Sequence, residues 1–145
     1  MRLKKLRTTM MGVLALTLVC SVSGCALFRF GPSDEQLLGD LLKGWKAAMD
    51  EGSVEKVIAY YSKDYMSADG RNFEETKSGL ERIVPALKEF EAKLSTTDAK
   101  IQIEGKKATI APIKIESSLG SIGLTLITTK DKDGVWRITS SEMQR

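Results

Sequence analysis

The chain has 145 residues, 42% of them apolar and 28% charged, a composition that suits a single globular domain. Its formal charge of +3 comes from Arg2, Lys4, Lys5 and Arg7 near the start; the other eighteen Lys and Arg face nineteen Asp and Glu. Without a clustered basic face there is little to hold a phosphate backbone, so nucleic acid is not an expected partner.

The basic start MRLKKLR is followed by residues 8–28, where no charge occurs. An apolar stretch centred on Val13 to Val19 runs into the small residues Ser21, Ser23 and Gly24 and then Cys25. Basic, apolar and small-residue zones in that order mark a secretory signal. The run Val22-Ser23-Gly24-Cys25 resembles the bacterial lipobox. The resemblance implies that residues 1–24 are a signal peptide, cut before Cys25, and that the Cys25 sulfur carries a diacylglycerol. Cys20 would leave with the signal. Ala26 stands where inner-membrane lipoproteins often have Asp, which implies the outer membrane, facing the periplasm, in a diderm bacterium. The composition also allows an uncleaved membrane helix over residues 8–28, close to the ~20 residues that span a bilayer, although Thr, Ser and Gly dilute it. Either reading leaves the remainder extracytoplasmic and tied to a membrane. Residues 25–33 read as a short tether. With two cysteines and no histidine, neither a metal site nor a cofactor is expected.

The folded domain is expected over residues 34–145. Ser33 or Asp34 caps a first helix, along which Leu37, Leu38, Leu41, Leu42, Trp45, Ala48 and Met49 recur at helical spacing. Gly52 ends it. Ser53 caps a second helix carrying Val54, Val57, Ile58 and Tyr61, and SADGRN (67–72) is a loop. Asn72 or Thr76 opens a third helix that holds its period to about residue 94, with a kink or break expected from Gly79 and Pro85.

After Thr97 the apolar period falls from near four to two. Ile101 and Ile103, then Ala108 and Ile110, Ile122 to Leu126, and Trp136 with Ile138 mark four strands. The odd step from Ile110 to Ile113, across Ala111-Pro112, predicts a bulge or bend. Short turns at EGKK, SSLGS and KDKDG predict an antiparallel meander. Helices first and sheet later give an α+β class.

The stretch WKAAMDEGSVEKVIAYYSKDYMSADG (45–70), with IQIEGKKATI and DGVWRI later, resembles nuclear transport factor 2-like domains. The resemblance spans nearly all of residues 34–143. It implies three helices against a strongly curved antiparallel sheet, forming a cone, often with an apolar pocket inside and a dimer contact on the outer sheet face. Candidate pocket residues are Trp45, Tyr61, Tyr65, Asp69, Leu124 and Trp136; the two tryptophans, each on an apolar stripe, suit the core as well, and the tyrosines suit core packing or a pocket rim.

Such folds host both enzymes and binders, so the site residues must choose. Lacking histidine, the chain offers no His acid–base chemistry. Carboxylate chemistry remains: in the isomerase-like pattern Asp69 takes the general-base position. Its partners there are a tyrosine and a protonated acid. Trp45 stands at the tyrosine position, and the late strand SIGLTLITT supplies only Ser and Thr. Asp69 before Gly70 also suits an ordinary turn. The sequence therefore favours a non-catalytic, lipid-anchored envelope protein that binds a small apolar ligand or a partner protein. An isomerase- or hydrolase-like enzyme using Asp69 is one alternative; a structural dimerisation module with a plugged cone is another.

Overall fold

A computed structural model of the chain describes residues 31–144. The expected signal peptide, Cys25 and most of the expected tether lie outside the described residues. Pro32 onward makes one compact unit.

Helix α1 (Asp34–Glu51) starts at a reciprocal capping box: Ser33 Oγ accepts from the Gln36 N–H, and Gln36 Oε1 accepts from the Ser33 N–H at 2.9 Å. Asp34 and Glu35 lie in its first turn, where negative charge meets the positive end of the helix dipole. It stops at Gly52, whose φ of 80° requires a residue without a Cβ penalty, and the Ser53 N–H returns to the Ala48 carbonyl. Ser53 then caps the short α2 (Val54–Ile58). Helix α3 (Phe73–Glu89) opens with a second capping box, Asn72 with Glu75.

Two expectations need correction here. Helix α3 runs through Pro85 without a break and ends at Glu89, not near 94. Pro85 is exposed while Val84 is buried, so the carbonyl left without its N–H partner faces water. The helix stops because Glu91 takes φ 50° and the Ala92 N–H reaches back to the Leu87 carbonyl at 2.7 Å. Leu94 lies in a further short strand, β1 (Lys93–Ser95), so the sheet has five strands rather than four.

Strands β2 (Lys100–Glu104), β3 (Lys107–Ser117), β4 (Gly120–Lys130) and β5 (Trp136–Gln144) are antiparallel neighbours in chain order. Strands β1 and β2 pair with different halves of β3. The register of β3 on β4 shifts between Ile110 and Ile113, across the cis Ala111-Pro112 bond, as the broken alternation predicts. A second shift falls between Ile127 and Thr128, where Thr139 of β5 is the extra residue. Each shift adds a residue to one strand, and extra residues bend a sheet.

The outer edge of β5 is covered by residues 60–68. Ser62 N–H donates to the Ile138 carbonyl at 2.8 Å, Met66 N–H to Thr139 at 3.0 Å and Ala68 N–H to Ser141 at 3.0 Å. This closes an edge that would otherwise invite another strand. The core lies between α1, α3 and the inner sheet face; Leu38, Val57, Ile110, Ile113, Leu126 and Ile138 have no exposed surface. Fully burying one such aliphatic side chain contributes roughly 1.5–3 kcal/mol.

Asp34 ties the start of α1 to the far end of the sheet. Its Oδ1 accepts from Lys130 Nζ at 2.6 Å and from Trp136 Nε1 at 3.0 Å. Helix α1 therefore begins at the end of the sheet where β4 finishes and β5 begins.

Candidate functional site

Toward the other end of the sheet a cavity of about 90 Å³ lies between the helices and the strands. Trp45 and Met49 of α1 form one wall, Leu80, Ile83 and Leu87 of α3 another, and Ile115, Leu124 and Met143 the sheet side. Tyr61 and Tyr65 enter from the segment that covers β5, their ring centroids 5.1 Å apart and tilted by 57°. The cavity is mainly apolar because every wall is the inner stripe of an amphipathic element.

A few polar atoms interrupt that lining. The Tyr65 hydroxyl and Ser141 Oγ lie 2.6 Å apart. Trp45 Nε1 and Thr76 Oγ1 are shut off from solvent and have no hydrogen-bond partner. Such an orphan costs about 1–3 kcal/mol, so natural folds rarely keep one without a reason. Trp45 Nε1 is near enough to the Tyr61 hydroxyl to act on its titration, though not in hydrogen-bonding geometry. Burial dominates there and raises the Tyr61 pKa, so this phenol is neutral at ordinary pH. Tyr65 is raised for the same reason, with its bond to Ser141 opposing the shift.

The structure thus gathers Trp45, Tyr61, Tyr65 and Leu124 around one space. It places two candidates elsewhere. Trp136 lies at the opposite end, bonded to Asp34. Asp69 is on an exposed loop beside the mouth and does not line the cavity. Arg71 Nε donates to its Oδ1 at 3.1 Å, Arg71 Nη2 stands 2.8 Å from Oδ2, and Ser67 also donates to it. These bonds, Arg71 first, hold the Asp69 pKa down to about 2. A carboxylate so stabilised is a poor base, and it faces water rather than a substrate space. Its partners are those of a loop-stabilising residue.

Sequence reasoning missed Arg71, Thr76, Ser141 and Met143. Thr76 was within reach, since it precedes Leu80 and Ile83 by four and seven residues on the inner stripe of α3. Ser141 and Met143 were not. The extra residue Thr139 switches the parity of β5, so they share the inner face with Trp136 and Ile138 despite odd spacing.

Solved structures match this architecture. The chain has a nuclear transport factor 2-like fold. A putative ketosteroid isomerase from Shewanella frigidimarina superposes with a TM-score of 0.62 at 19% identity, over 74% of this chain and 94% of that one. A nuclear transport factor 2-like protein of unknown function from Shewanella oneidensis gives 0.59 at 18% identity, over 78% and 100%. A cystatin-like-fold protein of unknown function from Nostoc punctiforme gives 0.57 at 19% identity, over 76% and 89%. No protein-family model matches the chain, and no curated protein does so in sequence. At these identities the likeness carries the fold and nothing about activity.

Proposed function

We propose that this nuclear transport factor 2-like domain is a non-catalytic binder of a small, mainly apolar molecule. We further propose that a lipid on Cys25 holds it at the extracytoplasmic face of a membrane. The observation that carries the binding proposal is the cavity of about 90 Å³, walled by apolar side chains and lined by Trp45 and Thr76, whose buried Nε1 and Oγ1 have no hydrogen-bond partner. Pockets of that make-up, few polar groups in an apolar wall, are the usual form of small-molecule sites. The anchor rests on the Val22-Ser23-Gly24-Cys25 pattern behind a basic and apolar leader.

The burial of Trp45, Tyr61 and Tyr65 favours a second reading, a structural module whose cone is filled by its own side chains. Native mass spectrometry of the protein taken gently from membranes separates the two. A binder carries a small-molecule adduct that Leu124→Trp removes by filling the cavity and Leu124→Met retains. A bare polypeptide mass for the unaltered protein, with both variants folded, sinks the binding proposal.

A further inference from the structure

One edge of the sheet is sealed and the other is open. Residues 60–68 cover β5, whereas β1 and β2 pair with β3 alone and meet no further strand among the described residues. Strand β1 has three residues, but β2 has five, Lys100-Ile101-Gln102-Ile103-Glu104. An open edge of that length is a template for another strand. The two-residue turn Gly105-Lys106 closes the hairpin on the Glu104–Lys107 pair. Pairs along an antiparallel ladder alternate between exchanging backbone hydrogen bonds and not doing so. Glu104, Gln102 and Lys100 therefore bond to β3, and the N–H and C=O groups of Ile101 and Ile103 point off the sheet.

The charges of β2 say which strand fits there. Lys100, Gln102 and Glu104 are exposed on one face, and neither Lys100 nor Glu104 has an ion partner among the described residues. Ile101 and Ile103 are half-buried on the other face and pack against the core. Laid antiparallel on a second copy about Gln102, the strand is its own complement. Lys100 faces Glu104 of the copy, Ile101 faces Ile103, and Gln102 faces Gln102. The free backbone groups coincide in the same register: each Ile101 exchanges two hydrogen bonds with the opposing Ile103, four in all. A slip of one residue sets Ile101 against Gln102, whose backbone groups are already engaged with β3, and turns the faces over. A slip of two sets Lys100 or Glu104 against Gln102 and loses both ion pairs. Charge, backbone direction and apolar face thus select one register.

We propose that the β2 edge is a self-association surface. Two copies join by antiparallel β2–β2 pairing about a two-fold axis at Gln102, and the two sheets become one. The isoleucine pairs lie on the core side of that sheet, and the Lys100–Glu104 pairs lie on its outer side. This contact uses a strand edge, unlike the outer-face dimer that the family resemblance implies, and it depends on neither the ligand nor the anchor.

The test is disulfide trapping of the purified full chain in mild detergent, oxidised with copper–phenanthroline and read on a non-reducing gel. The unaltered chain, which keeps Cys20 and Cys25, gives the background. Leu119→Cys, at a turn position 79% exposed, reports random collision. Gln102 falls in a pair without mutual hydrogen bonds, where Cα atoms lie ~4.5 Å apart, within disulfide reach. Gln102→Cys is therefore expected to give a strong dimer band above both controls. Two Lys100 residues stand four positions apart across the axis, roughly 14 Å and out of reach, as do two Glu104 residues. Lys100→Cys or Glu104→Cys alone should stay at the control level, and the two mixed should crosslink. Adding Lys100→Glu to Gln102→Cys opposes like charges at both ends and should weaken association about tenfold; adding Glu104→Lys as well should restore it. A Gln102→Cys band no stronger than that of Leu119→Cys overturns the proposal. So does a crosslink indifferent to the charge reversals, or a dimer by size that Gln102→Cys does not trap, since each means contact through another face.

Discussion

Asp69 shows how much one residue's role depends on its partners. Bonds from Arg71 and Ser67 favour its charged form, so its folded-state pKa falls from 3.8 to about 2. A depressed carboxylate pKa adds stability above the unfolded value near pH 4, and that stability is lost as the pH falls through about 2. Asp69→Asn is therefore expected to lower the urea midpoint slightly at pH 7, with the gap to the unaltered protein closing between pH 4 and 2. The loop is exposed, so the effect is modest. A gap that stays constant down to pH 2 would show that the pairing contributes nothing. The Asp-Gly turn was legible in the sequence. The Arg71 partner was not, because two residues apart on a loop says nothing about which way the side chains meet.

At the scale of the element, α1 carries two interior glycines in different surroundings. A Cβ on Gly39 would meet nothing within 4 Å, whereas one on Gly44 would fall 2.1 Å from the Tyr60 hydroxyl and 2.9 Å from its ring. Alanine is preferred over glycine in a helix interior by roughly 1 kcal/mol. Gly39→Ala should therefore gain about 0.5–1 kcal/mol. Gly44→Ala must push the Tyr60 ring off the helix, at a cost of about 1–3 kcal/mol that outweighs the gain. Urea denaturation of the two variants should move the midpoint in opposite directions; a stabilised Gly44→Ala would mean that Tyr60 moves freely. The caps of α1 and α3 and the bulge at Ala111-Pro112 were legible because each has a local chemical signature. The end of α3 was hidden because it turns on Glu91, a residue with no left-handed preference, and β1 was hidden inside the helical period that Leu94 continues.

For the whole molecule, the decisive feature is that the start of α1 and the cavity lie at opposite ends of the sheet. Strand β4 runs from the mouth, near Ile122 and Leu124, to Lys130, which holds Asp34. The described chain thus enters the domain at the end away from the mouth. If Cys25 carries the lipid, Cys25→Ser should yield an unprocessed or soluble protein on membrane fractionation. Retention of a normally processed chain in the membrane fraction would overturn the lipid anchor, and retention of an unprocessed one would favour the uncleaved helix.

The order of elements, their periods and their caps follow from the sequence by itself. Helical and strand spacings are properties of neighbouring residues, and the apolar stripes they create could pack in few ways other than helices on a sheet. Of the six candidate pocket residues, Trp45, Tyr61, Tyr65 and Leu124 line the cavity. Only the tertiary structure decided that Trp45 belongs to the cavity while Trp136 belongs to the opposite end beside Asp34, that Ser141 and Met143 turn inward, and that Asp69 faces water beside Arg71. Those outcomes depend on one extra residue in β5 and on contacts across many positions of chain, which no local pattern records.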